Sequence, residues 1–130
     1  MPSLVTVSVP NEPGALAKVA ATLSEGGVQV EGVQVVTRGV HGEAQFLVRD
    51  GRKALEALQS GGFPGKQEPV HVITLSNHQG ALADVCQRLA GAGINIEGLF
   101  GTTYGKAGTL AMMTDDNVAA AKVLDQLSTE

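Results

Sequence analysis

An ungapped internal repeat constrains this chain more than any other feature. Asn11-Glu12-Pro13-Gly14-Ala15-Leu16-Ala17 returns 66 residues later as Asn77-His78-Gln79-Gly80-Ala81-Leu82-Ala83. At the same offset Gly27-Val28-Gln29-Val30-Glu31-Gly32 becomes Gly93-Ile94-Asn95-Ile96-Glu97-Gly98, and Asp50, Ala54 and Leu58 fall on Asp116, Ala120 and Leu124. Residues 4–58 match 70–124 with 16 identities. An ordered series of matches at one spacing is the mark of a duplicated supersecondary unit. It divides the chain into a first copy with its linker, 1–69, and a second, 70–130.

Each copy carries the same local signals. Val5, Val7 and Val9 alternate, which predicts a half-buried strand, repeated at Val70 to Leu75. Leu16, Val19, Ala20 and Leu23 then fall at helical spacing, as do Leu82, Val85, Cys86 and Leu89. Gly26-Gly27 and Gly91-Ala92-Gly93 stop those helices. A second strand follows at about 28–36 and 94–103. Gly39 and Gly42, with Gly105 and Gly108, suit a hairpin into a third strand at about 43–49 and 109–114. Asp50 and Asp116 are placed to cap a second helix. The order is β-α-β-β-α. A weak fourth strand, interrupted by proline, is expected near 63–69, whereas the second copy ends at Glu130 directly after its helix and is expected to lack that strand. Antiparallel sheets with helices on one face make this an α+β, ferredoxin-like architecture.

Composition removes several functions. A net charge of -4 argues against a basic nucleic-acid surface, and one Tyr, three Phe and no Trp argue against a base-stacking platform. The cores must therefore be aliphatic. Cys86 is the single cysteine, so neither a disulfide nor a CxxC pair exists within the chain; its place on the apolar stripe of a helix suggests core. No apolar run approaches the roughly 20 residues of a membrane helix, and no leader pattern opens the sequence, so a cytoplasmic protein without membrane contact is expected. His41, His71 and His78 do not fall at metal-ligand spacing with Cys86 or with a carboxylate. Glu31 and Glu97 recur on the second strand as exposed carboxylates. No nucleophile–base pair emerges, and no catalysis, metal or cofactor is expected.

The loop after each first strand is the most informative segment. A helix begins at Gly14 and at Gly80, so free N–H groups there face the loop and attract a carboxylate or phosphate. Asn11 and Asn77 add a donor and an acceptor each. The competing reading is that both asparagines merely cap their own helices.

With these motifs placed, the sequence resembles the ACT domain family. Val-Pro-Asn-Glu-Pro-Gly-Ala-Leu-Ala at 9–17 with Gly-Val-Gln-Val-Glu-Gly at 27–32 carries the resemblance, and Leu-Ser-Asn-His-Gln-Gly-Ala-Leu-Ala at 75–83 with Gly-Ile-Asn-Ile-Glu-Gly at 93–98 carries it again. The resemblance implies βαββαβ modules that bind small ligands, commonly amino acids, and regulate enzymes of amino-acid metabolism. It implies that two copies pair edge to edge through the second strand, with the ligand at the junction. Its carboxylate would meet the loop and helix start, and an asparagine of the neighbouring second strand would complete the site. Carried onto this chain, the ligand-binding residues are Asn11, Glu12, Pro13, Gly14, Ala15 and Leu16 with Asn95 and Ile96, and Asn77, His78, Gly80, Ala81 and Leu82 with Gln29 and Val30. Leu16, Val30, Leu82 and Ile96 would favour an aliphatic or aromatic ligand.

The absent final strand departs from the family pattern and leaves the first strand of the second copy as an open edge. Val70, Val72, Ala111 and Met113 give that copy an apolar back face. Both features predict a homo-oligomer. The expected function is that of a non-catalytic regulatory or sensor protein acting through a partner enzyme or regulator. The alternatives are a small enzyme using the groove between the copies, and an oligomerisation module without a ligand.

Overall fold

In a computed structural model of the chain, residues 2–76, 78–104 and 107–127 are described. The candidate Asn77 and the Gly105 turn named above lie outside them, as does Glu130. The chain forms two compact units, Met1–Pro69 and Val70–Glu130.

The first unit runs β1 (Ser3–Pro10), α1 (Ala15–Glu25), β2 (Val30–Arg38), β3 (His41–Val48), α2 (Gly51–Ser60) and β4 (Gly65–Pro69). Its sheet has the order β2-β3-β1-β4, with every neighbouring pair antiparallel. Strand alternation puts Val5, Val7 and Val9 of β1, with Ala44, Phe46 and Val48 of β3, under the helices. Val19 and Leu23 of α1 and Ala54 and Leu58 of α2 close that core. The fourth strand forms despite Pro69, because an edge position demands fewer N–H donors.

The second unit runs β5 (His71–Ser76), α3 (Ala81–Gly91), β6 (Ile96–Tyr104), β7 (Ala107–Thr114) and α4 (Asn117–Leu127). Its three strands are ordered β5-β7-β6, again antiparallel. Ile73, Val85, Leu89, Ile94, Met112, Ala120 and Leu124 make its core. Strand β5, the repeat of β1, is therefore an edge strand. Alternating β-α-β-β-α units with helices packed on one sheet face match the α+β architecture expected from the sequence.

The helix stripes are narrower than helical spacing suggests. Val19 and Leu23 are buried, but Ala20 is exposed and Leu16 is 39% exposed. In α3, Val85 and Leu89 are buried, Cys86 is half-buried and Leu82 is 52% exposed. Positions 16 and 20 lie about 100° round the helix from 15 and 19, enough to turn them off the sheet. Cys86 is thus at the margin of the core and not inside it. The back face of the second sheet is likewise less open than its composition implies. Val70 and Ala111 are buried and Met113 half-buried, so Val72 is its exposed aliphatic side chain.

Leu23 and Leu89 occupy the same repeat position and are both fully buried. Leu23→Ala and Leu89→Ala are each expected to destabilise the protein by about 2–5 kcal/mol, through lost burial and the cavity left behind. Ala20→Ser should stay within about 0.5 kcal/mol. Urea denaturation of the three variants measures the contrast.

Candidate functional site

Among the described residues the four helices begin in two different ways. Helix α2 starts after Asp50, whose side chain accepts the Lys53 N–H at 3.0 Å, and α4 starts after Asp116, which accepts the Ala119 N–H at 3.0 Å. These are ordinary side-chain caps. Helix α1 instead starts after Gly14 at φ 85°, and α3 after Gly80 at φ 91°, neither with a side-chain cap. Ahead of α1, the Ala15 N–H closes a turn onto the Glu12 carbonyl at 3.3 Å, and the first helical bond runs from Lys18 N–H to the Gly14 carbonyl at 3.1 Å. Among the described residues nothing accepts the N–H groups of Leu16 and Ala17 between them. The turn at α3 repeats this, with Ala81 N–H on the His78 carbonyl and Asp84 N–H on the Gly80 carbonyl. Two repeat-equivalent helix starts therefore present donors and a positive dipole end outward.

Asn11 does not cap its helix. Its carboxamide donates to the Gly39 carbonyl at 2.9 Å, and its backbone N–H donates to the Val40 carbonyl at 2.8 Å. The loop is thereby latched to the turn between β2 and β3. Among the described residues only the donor end of the carboxamide is used, and its oxygen accepts from none of them. Glu12, Pro13 and Gly14 are exposed beside it, as are His78, Gln79 and Gly80 in the second unit. Ala15 and Ala81 are half-buried.

The second half of the proposed site lies at the start of the second strand. Gln29 and Asn95 are exposed, each directly before its strand. Val30 and Ile96 are half-buried against the cores of their own units, so core packing claims much of their surface. The strand register shifts between Val30 and Gly32, and identically between Ile96 and Gly98. Glu31 and Glu97 thus sit in bulges, which re-aim neighbouring side chains. Loop and strand start are not together within one unit. Asn11 meets the end of β2 at Gly39, whereas Gln29 precedes its beginning, and a strand of nine residues separates those ends by roughly 26 Å.

The two units differ in charge around these features. Glu31 forms an ion pair with Arg49. Arg49 is repeated as Asp115, whose carboxylate accepts the Asn95 N–H at 2.9 Å while its own N–H donates to the Asn95 carbonyl at 3.1 Å. In the first turn of α3 stands Asp84, 3.3 Å from Arg88, where α1 has Lys18. Asp115-Asp116 reads in the sequence as a capped helix start, while the charge reversal from Arg49 to Asp115 at the common offset is the signal that marks this difference. The exposed pairs Leu16 with Leu82 and Val33 with Leu99 are also repeat-equivalent, so each unit shows an apolar margin in the same place.

A side chain at position 14 or 80 would meet nothing within 4 Å, so glycine is needed there only for its positive φ. Gly14→Ala and Gly80→Ala should each cost about 1–2 kcal/mol of stability from the left-handed backbone alone. Thermal and urea unfolding check this; a neutral outcome would mean that the turns relax to another geometry.

The comparisons with known proteins agree with this fold. The family model for the ACT domain pair matches residues 3–128. A solved protein from Bacteroides thetaiotaomicron superposes with a TM-score of 0.86 at 22% identity, covering 95% of this chain and 86% of its own. The regulatory subunit of aspartate kinase from Thermus thermophilus gives 0.73 at 22% identity, covering 97% and 92%. The corresponding subunit from Thermus flavus gives 0.70 at 23% identity, covering 99% and 93%. No curated protein sequence matches. Among the described residues no helix is long and apolar enough to cross a membrane. With a duplicated unit, two helix starts of one kind and a family match over nearly its whole length, the chain belongs to the ACT domain pair family.

Proposed function

We propose that this protein is a non-catalytic regulatory module that binds a small ligand, an amino acid, where a loop of one ACT unit meets the second strand of another. The observation that carries the reading is the separation of the two half-sites within each unit. A loop at one end of the sheet and a strand start at the other can cooperate only across a neighbour lying antiparallel. Strands β2 and β6 are both edges of their sheets, so each offers the required margin. Pairing them would set the Asn11 loop beside Asn95 and the 77–82 loop beside Gln29. The uncapped N–H groups of α1 or α3 would receive the ligand carboxylate. A carboxamide from the opposing strand would receive its amine.

Output must then pass through a surface. A ligand bridging two units favours one relative orientation, and a partner that reads that orientation responds. The partner is an enzyme or regulator of amino-acid metabolism, a reading supported by the aspartate kinase regulatory subunits of similar fold. Self-association belongs to the same proposal, because β5 is an open edge carrying neither lysine nor proline to blunt it. Sedimentation should reveal a species larger than a monomer at micromolar concentration; a clean monomer sinks that part.

The central experiment is a thermal-shift screen of the twenty amino acids. At least one should raise the melting temperature progressively with concentration. Failure of all twenty would favour an oligomerisation module without a ligand. The site joining the Asn11 loop to Asn95 should bind more tightly than the one joining the 77–82 loop to Gln29, because Gln29 is one methylene longer and Gln79 replaces the stiffer Pro13. Calorimetry on Asn11→Ala and Asn77→Ala proteins should find the larger loss in the first; equal losses would reject the ranking.

A further inference from the structure

We infer that Asp115 is a positioning residue that makes the start of β6 a prebuilt half-site, which its counterpart at the start of β2 is not. This deepens the ligand-binding reading above and rests on it. Asp115 holds both backbone polar groups of Asn95, its carboxylate accepting the Asn95 N–H at 2.9 Å and its own N–H donating to the Asn95 carbonyl at 3.1 Å. Asn95 stands just ahead of Ile96, the first residue of β6 in the ladder. The pair of bonds fixes the backbone from which the Asn95 carboxamide projects.

At the repeat position the first unit has Arg49, which can donate from its side chain but cannot accept an N–H. Its guanidinium turns to Glu31 in the bulge, and among the described residues neither of the two bonds seen at Asn95 is formed at Gln29. Among the described residues the Gln29 side chain reaches only its own neighbour, the Val30 carbonyl, at 3.4 Å. One substitution, basic for acidic, therefore separates a fixed strand start from a loose one. The helix starts are biased in the same sense: Lys18 near the α1 terminus favours a ligand carboxylate, and Asp84 near the α3 terminus opposes it. Both asymmetries assign strength to the site that combines the α1 terminus with Asn95. The chain is then a one-ligand protein at low ligand concentration, despite its two copies of the motif. Binding to a half-site already held in its bound geometry avoids an ordering cost that the Gln29 side must meet.

The test uses the full-length protein and its Asp115→Ala, Asp115→Asn and Arg49→Ala variants. Without ligand, amide hydrogen exchange should be slower at Asn95 than at Gln29, faster at Asn95 in Asp115→Ala, and restored in Asp115→Asn, whose carboxamide oxygen still accepts. Equal exchange at Asn95 and Gln29 in the wild type overturns the inference. Calorimetry with each of the twenty amino acids as probe should give one strong site per chain. Asp115→Ala should weaken it about fivefold to tenfold, Asp115→Asn should recover it, and Arg49→Ala should leave it unchanged. Unchanged affinity in Asp115→Ala rejects the positioning role and spares the ligand-binding reading. Absence of binding by every probe to the wild type rejects both, while the exchange data still report whether Asp115 holds Asn95.

Discussion

The left-handed glycine at the head of α1 and α3 is the constraint on which the rest depends. It ends the loop between strand and helix in a left-handed turn and, having no side chain, offers the first-turn N–H groups no cap. The other two helices of the fold start on aspartates that satisfy those groups internally. Among the described residues, aspartates cap two helices, and the other two, repeat-equivalent to each other, have no side-chain cap. Asn11, the residue best placed to cap, is committed to the turn between β2 and β3. That latch fixes the loop and simultaneously keeps the helix terminus available.

Duplication supplies the second constraint. The ferredoxin-like order puts the loop and the second-strand start at opposite ends of a unit, so the two segments of one copy do not meet. The copies differ in charge at equivalent positions: Lys18 against Asp84, and Arg49 against Asp115. The fold was kept while the electrostatics of the loops and strand starts diverged.

Much of this was legible in the sequence. Every strand and helix followed from period-2 and helical patterning read twice, and the weak strand near 63–69 formed where proline allowed an edge. Three things were not legible. Helical spacing alone overstated the buried stripe, because it cannot say how wide an arc the sheet covers; Leu16, Ala20 and Leu82 fell outside it. The role of Asn11 was also open, since a cap and a latch to a turn use the same side chain, and only the fold reveals that Gly39 lies within reach. The bulges at Glu31 and Glu97 left no sequence mark beyond the retained glutamate, because a register shift depends on pairing between distant strands.

Strand β4 carries one more consequence. Gly65 lies so near β1 that an added Cβ would stand 2.7 Å from the Thr6 carbonyl oxygen. Only a strand beginning with glycine there can fit that edge. Gly65 thereby lets β4 lie against β1 and cover an edge that the repeat-equivalent β5 leaves uncovered among the described residues.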